Sequence, residues 1–517
     1  MKTPPRLLAA RLGAALWAIW LAGLPVGCAV GPDFTRPEPP TVTTYTGNAD
    51  ETSRQLASGP AEPEQQFVVG QRISSEWWEL FQSPQISEAV REAMVGSPTL
   101  TVAEATLAQA QEAIVQARAA FYPQIDANAG ASRQQNAAGA VRNKSSSNNK
   151  NNNPVTTFSL FSLGTTVSYT PDVFGETRRQ VEEAEAQTQN QQYQLAAAYL
   201  TLTGNVVMQA ITIAGTRLEI AASEEIVDED QKNLDLVQAK FEAGKAARTA
   251  GLVADSQLAN DRALLPPLRQ QLSAANHALS ILIGQLPADW APPPFELAQL
   301  TLPGDLPVQL PSEFVHQRPD IMAAEAQLHA ASAAIGVATA QLYPSITLSG
   351  AVGLQSLTAA ELFEGASTAW NVAAGLTAPV FHGGALLSQR RSAIDAFQGT
   401  FATYRETVLQ AFGQVADTLD ALAHDADLVA AQRHALDVAD ESLALARLSY
   451  EAGKSDVLQL LDSQRLDQQA RLGYARAQTQ RYQDTTQLFV AMGGGWWDNP
   501  SIPLDAHGNA SLAPSPS

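Results

Sequence analysis

The chain switches twice between two hydrophobic periods, and the switches mark its elements. Residues 98–121 and 319–342 space Ala, Leu, Val and Ile among polar residues at helical intervals. Each run carries proline in its first turn, where no helical hydrogen bond is lost. Each stops at Tyr-Pro (Tyr122-Pro123 and Tyr343-Pro344), because proline cannot continue a helix. Beyond each stop the period falls to two. Ile125, Ala127, Ala129 and Ala131 alternate with Asp126, Asn128, Gly130 and Ser132; Phe161, Leu163, Val167 and Tyr169 alternate with Ser162, Gly164, Thr166 and Ser168. The second half sets Ile346, Leu348, Val352 and Leu354 against Thr347, Ser349 and Gly353, then Trp370, Val372, Ala374 and Leu376 against Asn371, Gly375 and Thr377. Four strands are predicted, at about 124–134, 156–170, 345–355 and 369–379. Roughly ten residues with one apolar face is the pattern of strands that cross a bilayer within a barrel. Leu163, Val167, Leu348 and Leu376 are then expected to face lipid. The polar tract 143–153 between the first two strands has nothing to bury and is expected to be a solvated loop.

Two proline-free stretches, 175–243 and 383–452, predict helices of about 100 Å each. Each ends in a Gly-Lys turn (Gly244-Lys245 and Gly453-Lys454) and returns as a second helix, about 249–283 and 456–492. Pro266-Pro267 predict a kink in the first return helix. Apolar residues in these helices are mostly Ala, Leu and Val, spread thinly among Gln, Glu and Asp. That composition suits extended helices packed side by side better than one globular core, with the acids expected on solvated faces.

The plan is written twice. The run from Ser97-Pro98 to Leu107 matches that from Arg318-Pro319 to Leu328, and the offset of 221 from Pro98 to Pro319 holds through Ile114/Ile335, Tyr122/Tyr343 and Ile125/Ile346. Phe241-Glu-Ala-Gly244-Lys245 recurs as Tyr450-Glu-Ala-Gly453-Lys454, and Asp255-Ser-Gln257 as Asp462-Ser-Gln464. The expected organisation is a leader (1–27), an N-terminal segment (28–97), a first repeat (98–286), a Pro-rich linker (287–318), a second repeat (319–497) and a tail (498–517).

Composition narrows the function. With 32 basic against 52 acidic residues the formal net charge is −20, which argues against a general nucleic-acid binder. One cysteine excludes an internal disulfide framework and a Cys-based zinc site, and the seven histidines never fall at metal-ligand spacing. Gly453-Lys454-Ser455 resembles the end of a phosphate-binding loop, but Leu448 replaces the upstream glycine and a helix precedes it. No nucleophile elbow occurs. Catalytic residues, cofactors and metals are therefore not expected, and the chain reads as a non-enzyme.

Residues 1–27 have the form of a secretory signal: Lys2, Arg6 and Arg11, then an apolar run from Leu12 to Leu24. Its removal would take three positive charges and leave about −23. Cys28 follows Pro25-Val26-Gly27 and resembles the modified cysteine of a bacterial lipobox, which implies acylation there. Pro25 stands where Leu is usual, so cleavage elsewhere with Cys28 incidental is the alternative. By the same resemblance, Ala29 after the cysteine implies the outer membrane.

An ordered series of motifs carries a wider resemblance. Cys28-Ala-Val-Gly-Pro-Asp-Phe-Thr-Arg-Pro-Glu38, Trp77-Trp78, Phe121-Tyr122-Pro123, Asp172-Val173-Phe174-Gly175, Arg318-Pro319-Asp320, Pro379-Val380-Phe381-His382-Gly383-Gly384, Leu460-Leu461-Asp462 and Gly493-Gly494-Gly495-Trp496 resemble OprM-like members of the TolC family. The resemblance implies a mixed α and β membrane protein of a Gram-negative bacterium. It would be a homotrimer whose twelve-stranded β-barrel, four strands per chain, continues as an α-helical coiled-coil tunnel in the periplasm. It also implies a passive exit duct for drugs or other small toxic compounds, partnered by a periplasmic adaptor and an inner-membrane RND-type pump, with no cofactor. In that pattern Leu458, Asp462 and Arg465 line or brace a periplasmic gate, Tyr450 braces it before the turn, and the turns at Gly244, Lys245, Gly453 and Lys454 meet the adaptor. The strands lead to the same assembly independently. Four cannot close a barrel and open edges are not tolerated in lipid, so copies must share one; two copies give a filled interior, three a passage. The alternatives are a protein-secretion duct of the same build and a pore-less periplasmic coiled-coil adaptor.

Overall fold

A computed structural model describes residues 29–46, 55–56, 64–135 and 157–496. The leader with Cys28, the polar tract 143–153 and the tail lie outside the described residues. In chain order the strands are β1 (Gln55–Leu56), β2 (Gln65–Val69), β3 (Gln124–Gln135), β4 (Thr157–Tyr169), β5 (Asp305–Val308), β6 (Ser345–Ser356) and β7 (Thr368–Thr377). The helices are α1 (Pro84–Gly96), α2 (Pro98–Ala119), α3 (Glu176–Glu242), α4 (Arg248–Arg262), α5 (Leu265–Ile283), α6 (Pro311–Phe314), α7 (Pro319–Ala340), α8 (Ala385–Glu451) and α9 (Val457–Ala491). Helices α2 and α7 have 22 residues each, and α3 and α8 have 67 each. The chain forms two compact units, one from Met1–Thr35, Ala110–Thr188 and Gln327–Phe401, the other from Arg36–Gln109, Gln189–Ala326 and Ala402–Ser517.

The first unit holds one four-stranded antiparallel sheet in the order β3-β4-β6-β7. Register puts Ala129 opposite Leu163, Leu163 opposite Leu354, and Ile346 opposite Leu376. Directly paired residues share a face. One face therefore gathers Ile125, Leu163, Val167, Leu348, Trp370 and Leu376, and the other Asp126, Asn128, Ser162, Thr347, Ser349 and Asn371.

The second unit is helical, with a small sheet ordered β1-β2-β5 in which β2 and β5 run parallel. The expected absence of a globular core is corrected here. Trp77 stacks on Phe489 at 5.3 Å, Phe81 meets Phe489 edge-on, and Tyr45, Phe314 and Phe412 pack together. Phe81 and Phe489 are fully buried, each contributing about 1.5–3 kcal/mol. Trp77, Phe81, Tyr45 and Phe314 come from segments outside the long helices and close over single aromatics of those helices, Phe412 of α8 and Phe489 of α9, so the helices' thin apolar stripes alone did not announce this core. Arg318 explains its own motif. Its buried guanidinium donates to the carbonyls of Ala491 (3.0 Å) and Ala411 (3.4 Å) and pairs with Asp320 at 2.8 Å. The first carbonyl is an orphan of the α9 C-terminus.

The first return helix breaks between Arg262 and Leu265, not at the proline pair itself. Each proline ring clashes with the carbonyl four residues back, so Pro266 and Pro267 end the ladder at Arg262 and Ala263. Helices α3 and α7 each contain an 18-residue stretch apolar enough to cross a membrane, but more than half of each stretch is buried against protein.

Candidate functional site: the amphipathic sheet and the helix turns

The four-stranded sheet is the first functional surface. Among the described residues β3 and β7 each pair on one side only, leaving two rows of backbone donors and acceptors open. On the apolar face Trp370 and Leu376 stand 76% and 70% exposed. An apolar outer face, a polar opposite face and unpaired edges are what a barrel segment needs in lipid.

The helix turns are the second. Helix α3 ends in a closed turn: Gly244 N–H donates to Phe241 O (2.9 Å) and Lys245 N–H to Lys240 O (2.8 Å). Helix α8 ends identically, Gly453 N–H to Tyr450 O (3.1 Å) and Lys454 N–H to Ser449 O (2.9 Å). These paired bonds are the Schellman motif, which requires a left-handed residue. Gly244 and Gly453 supply it at φ 71° and 69°, with open space where a Cβ would point, so backbone conformation alone demands glycine. Asp456 then caps α9, accepting from Val457 N–H.

Four helices converge behind the turns. Leu234 and Val237 of α3, Leu258 of α4, Leu443 and Tyr450 of α8, and Leu460 of α9 bury one another. Tyr450 is braced by Lys240, whose Nζ lies 3.5 Å from the ring centroid and donates to the Tyr450 carbonyl at 2.6 Å. Burial, then the Asp456 charge, push the Tyr450 hydroxyl pKa up, so it remains protonated at neutral pH. Leu458, Asp462 and Arg465 lie on the opposite, exposed stripe of α9. Asp462 and Arg465 form an ion pair at 2.7 Å, and Leu458 is 58% exposed. A cavity of about 490 Å³ lies between the turns, bordered by Lys240, Lys245, Tyr450, Asp456 and Leu458. The structure thus brings Tyr450, the turn residues and Leu458 together, and sets Asp462 and Arg465 one and two turns further along α9.

Several acids contradict the expectation of solvated faces. Asp230 of α3, Asp261 of α4, and Asp467 of α9 are buried. Asp261 accepts from Gln257 (2.7 Å) and Gln468 (2.5 Å) and lies beside Asp230, whose pKa is pushed up to about 8 by burial first and then by the Asp261 carboxylate. Asp425 of α8 behaves alike beside Asp484, also rising to about 8 from burial first. Asp467 is raised by burial although Arg471 sits 2.7 Å away. Arg471 also gathers Glu225 and Glu229 of α3 and Asp440 of α8. Only helical phase relative to three neighbours puts these acids inside, and one helix's spacing does not encode it.

The chain belongs to the outer membrane efflux protein family, whose sequence profile matches residues 89–285 and 310–494. It is thus an outer-membrane efflux protein, a transport duct by family. It is similar to the pyoverdine export outer membrane protein OpmQ of Pseudomonas aeruginosa, 30% identical over 457 residues that cover 87% of this chain and 94% of OpmQ. It is also similar to the antibiotic efflux pump outer membrane protein ArpC of Pseudomonas putida, at 26% identity over 91% of this chain and 93% of ArpC. The solved outer-membrane channel OprN superposes with a TM-score of 0.81 at 25% identity, covering 91% of this chain and all of OprN.

Proposed function

We propose that three copies of this chain form a passive exit duct, with a shared twelve-stranded barrel and an α-helical periplasmic tunnel. Two tandem repeats supply it. The observation that carries this reading is the sheet: four amphipathic strands, one face apolar, and both edges unpaired. The duct receives small toxic compounds, drugs or export products from an inner-membrane RND-type pump through a periplasmic adaptor. The names of OpmQ and ArpC support small-molecule cargo over secreted protein. Leu458, Asp462 and Arg465 form the constriction, where three-fold symmetry turns one exposed stripe of α9 into rings. Tyr450, held by Lys240, braces that end. Gly244, Lys245, Gly453 and Lys454 make the adaptor-facing tip, and acylated Cys28 adds a lipid anchor.

Single-channel recording in planar bilayers tests the constriction. Asp462→Ala should conduct more than the parent and prefer cations less, because a ring of carboxylates favours cations; Leu458→Ala should also conduct more. A parent that never conducts would overturn the duct. Variants indistinguishable from a conducting parent would remove these residues from the gate.

A further inference from the structure

Below the sheet, the first unit holds a cleft of about 310 Å³, at the lower end of the size of small-ligand pockets, roughly 300–1,000 Å³. Its walls are the segment after β4, the segment before β6 and the segment after β7. Phe174, Tyr343, Pro344, Pro379 and Leu386 make it largely apolar, and the Phe174 and Tyr343 rings stack at 4.9 Å. Beside it Val380 and Phe381 stand 92% and 87% exposed. Apolar and aromatic residues at the ends of spanning strands lie at the level of the bilayer interface.

The described N-terminus is clamped against one wall of this cleft. A Cβ on Gly175 would come within 2.5 Å of Ala29 Cα, so the two backbones touch. Val30 N–H donates to Phe174 O at 3.1 Å, and Val30 O accepts from Arg179 Nε at 3.3 Å. Arg179, itself buried, also holds Asp33 at 2.6 Å. Gly31, at φ 102°, lies against Gly336. Phe34 stacks on His329 at 4.4 Å. Residues 29–34 are therefore fixed, and Cys28 is the next residue, at most about 3.8 Å of chain from Ala29.

We propose that the cleft seats a fatty acyl chain carried on Cys28, making the anchor part of the strand–helix junction. The proposal rests on the acylation of Cys28 in the reading above. A long flexible tether would let the chains embed anywhere, whereas this clamp holds Ala29, the residue after Cys28, against Gly175 between two residues that line the cleft. Charge selects the occupant. Asp172, which lines the cleft, is already paired with Arg178 at 3.1 Å, so the remaining wall charge, Glu176, would oppose a phosphate headgroup, while a neutral acyl chain meets no such cost.

The test uses cells fed a palmitate analogue with a photoactivatable diazirine. Membranes are irradiated, and peptides of the full-length protein are mapped by mass spectrometry. The expected result is label on Cys28 and adducts on peptides containing Phe174–Thr177, Tyr343 or Leu386. Those adducts should fall at least tenfold when Cys28→Ser is exported behind an ordinary secretory signal. Gly175→Val, which displaces Ala29, should lower them severalfold while Cys28 stays labelled. Adducts that persist in Cys28→Ser identify a free membrane lipid as the occupant and overturn the proposal. Labelled Cys28 with no adduct in the cleft overturns the seat and leaves the anchor standing. Unlabelled Cys28 overturns both.

Discussion

The buried pair Asp230–Asp261 makes stability depend on pH in a direction opposite to that of an ordinary salt-bridged carboxylate. Both side chains are about 5% exposed or less, and each oxygen of Asp261 already accepts an amide hydrogen bond. Asp230 Oδ2 has no hydrogen-bond partner. A second negative charge there would be neither solvated nor paired, so the folded pair holds one proton that the unfolded chain releases near 3.8. The folded value is raised, so the contribution is complete below pH 4. It is lost as pH climbs from 4 to about 8, and is flat above. The ceiling is about 1.4 kcal/mol per pH unit for one proton. Asp230→Asn keeps the shape, donates to Asp261 and removes the titration. Urea unfolding in detergent, followed by tryptophan fluorescence between pH 5 and 8.5, should show the variant gaining on the parent by about 1–3 kcal/mol across that range. Asp425→Asn, in a separate pair, should gain in the same direction and roughly additively. Parallel pH profiles for parent and variant would refute the shared proton.

Two further perturbations probe the sheet and the helix turns. Leu163 is the middle residue of β4, whereas Val167 lies two residues from its end. Leu163→Arg should therefore cost about 2–4 kcal/mol of assembly in lipid, Val167→Arg about 0–1, and the polar-face change Ser162→Arg little, as read from folded yield in outer-membrane fractions. Equal yields for Leu163→Arg and Ser162→Arg would reverse the assigned faces. At the helix turns, Gly453→Ala and Gly244→Ala should each destabilise by about 1–2 kcal/mol, the cost of holding an L-residue left-handed, seen as a lower urea midpoint with an unchanged slope.

The two faces of the sheet were legible because a period of two maps directly onto sides of a strand. The long helices were legible because glycine and proline mark where they end: Gly175 and Gly244, at φ 83° and 71°, flank α3. The two turn glycines, Gly244 and Gly453, were legible for the same reason, since the Schellman turn demands a left-handed residue. The interior of the helical unit was not. The pairing of β2 with β5 joins segments about 240 residues apart through the Pro-rich linker, and a four-residue strand leaves little pattern. Acids such as Asp230 look like solvated charges until α4 and α9 pack over them. The clamp of Asp33 on Arg179 joins positions 146 apart, and neither residue carries a local signal of the other.

The unpaired edges bear most directly on assembly. Strand β7 has ten residues, so alternate residues leave about five N–H and five C=O groups pointing away from β6, and β3 leaves a similar row on the far side. In hydrocarbon each unsatisfied group costs several kcal/mol, which puts a lone inserted sheet tens of kcal/mol uphill. No side-chain contact on the apolar face offsets that, because lipid already satisfies it. The same edges in water would be templates for aggregation, and in the proposed assembly they are satisfied by β3 of one copy meeting β7 of the next. Two copies would close eight strands around a filled interior and leave no path. Three would close twelve, the smallest ring of this four-strand sheet with room for the passage that the proposed duct requires.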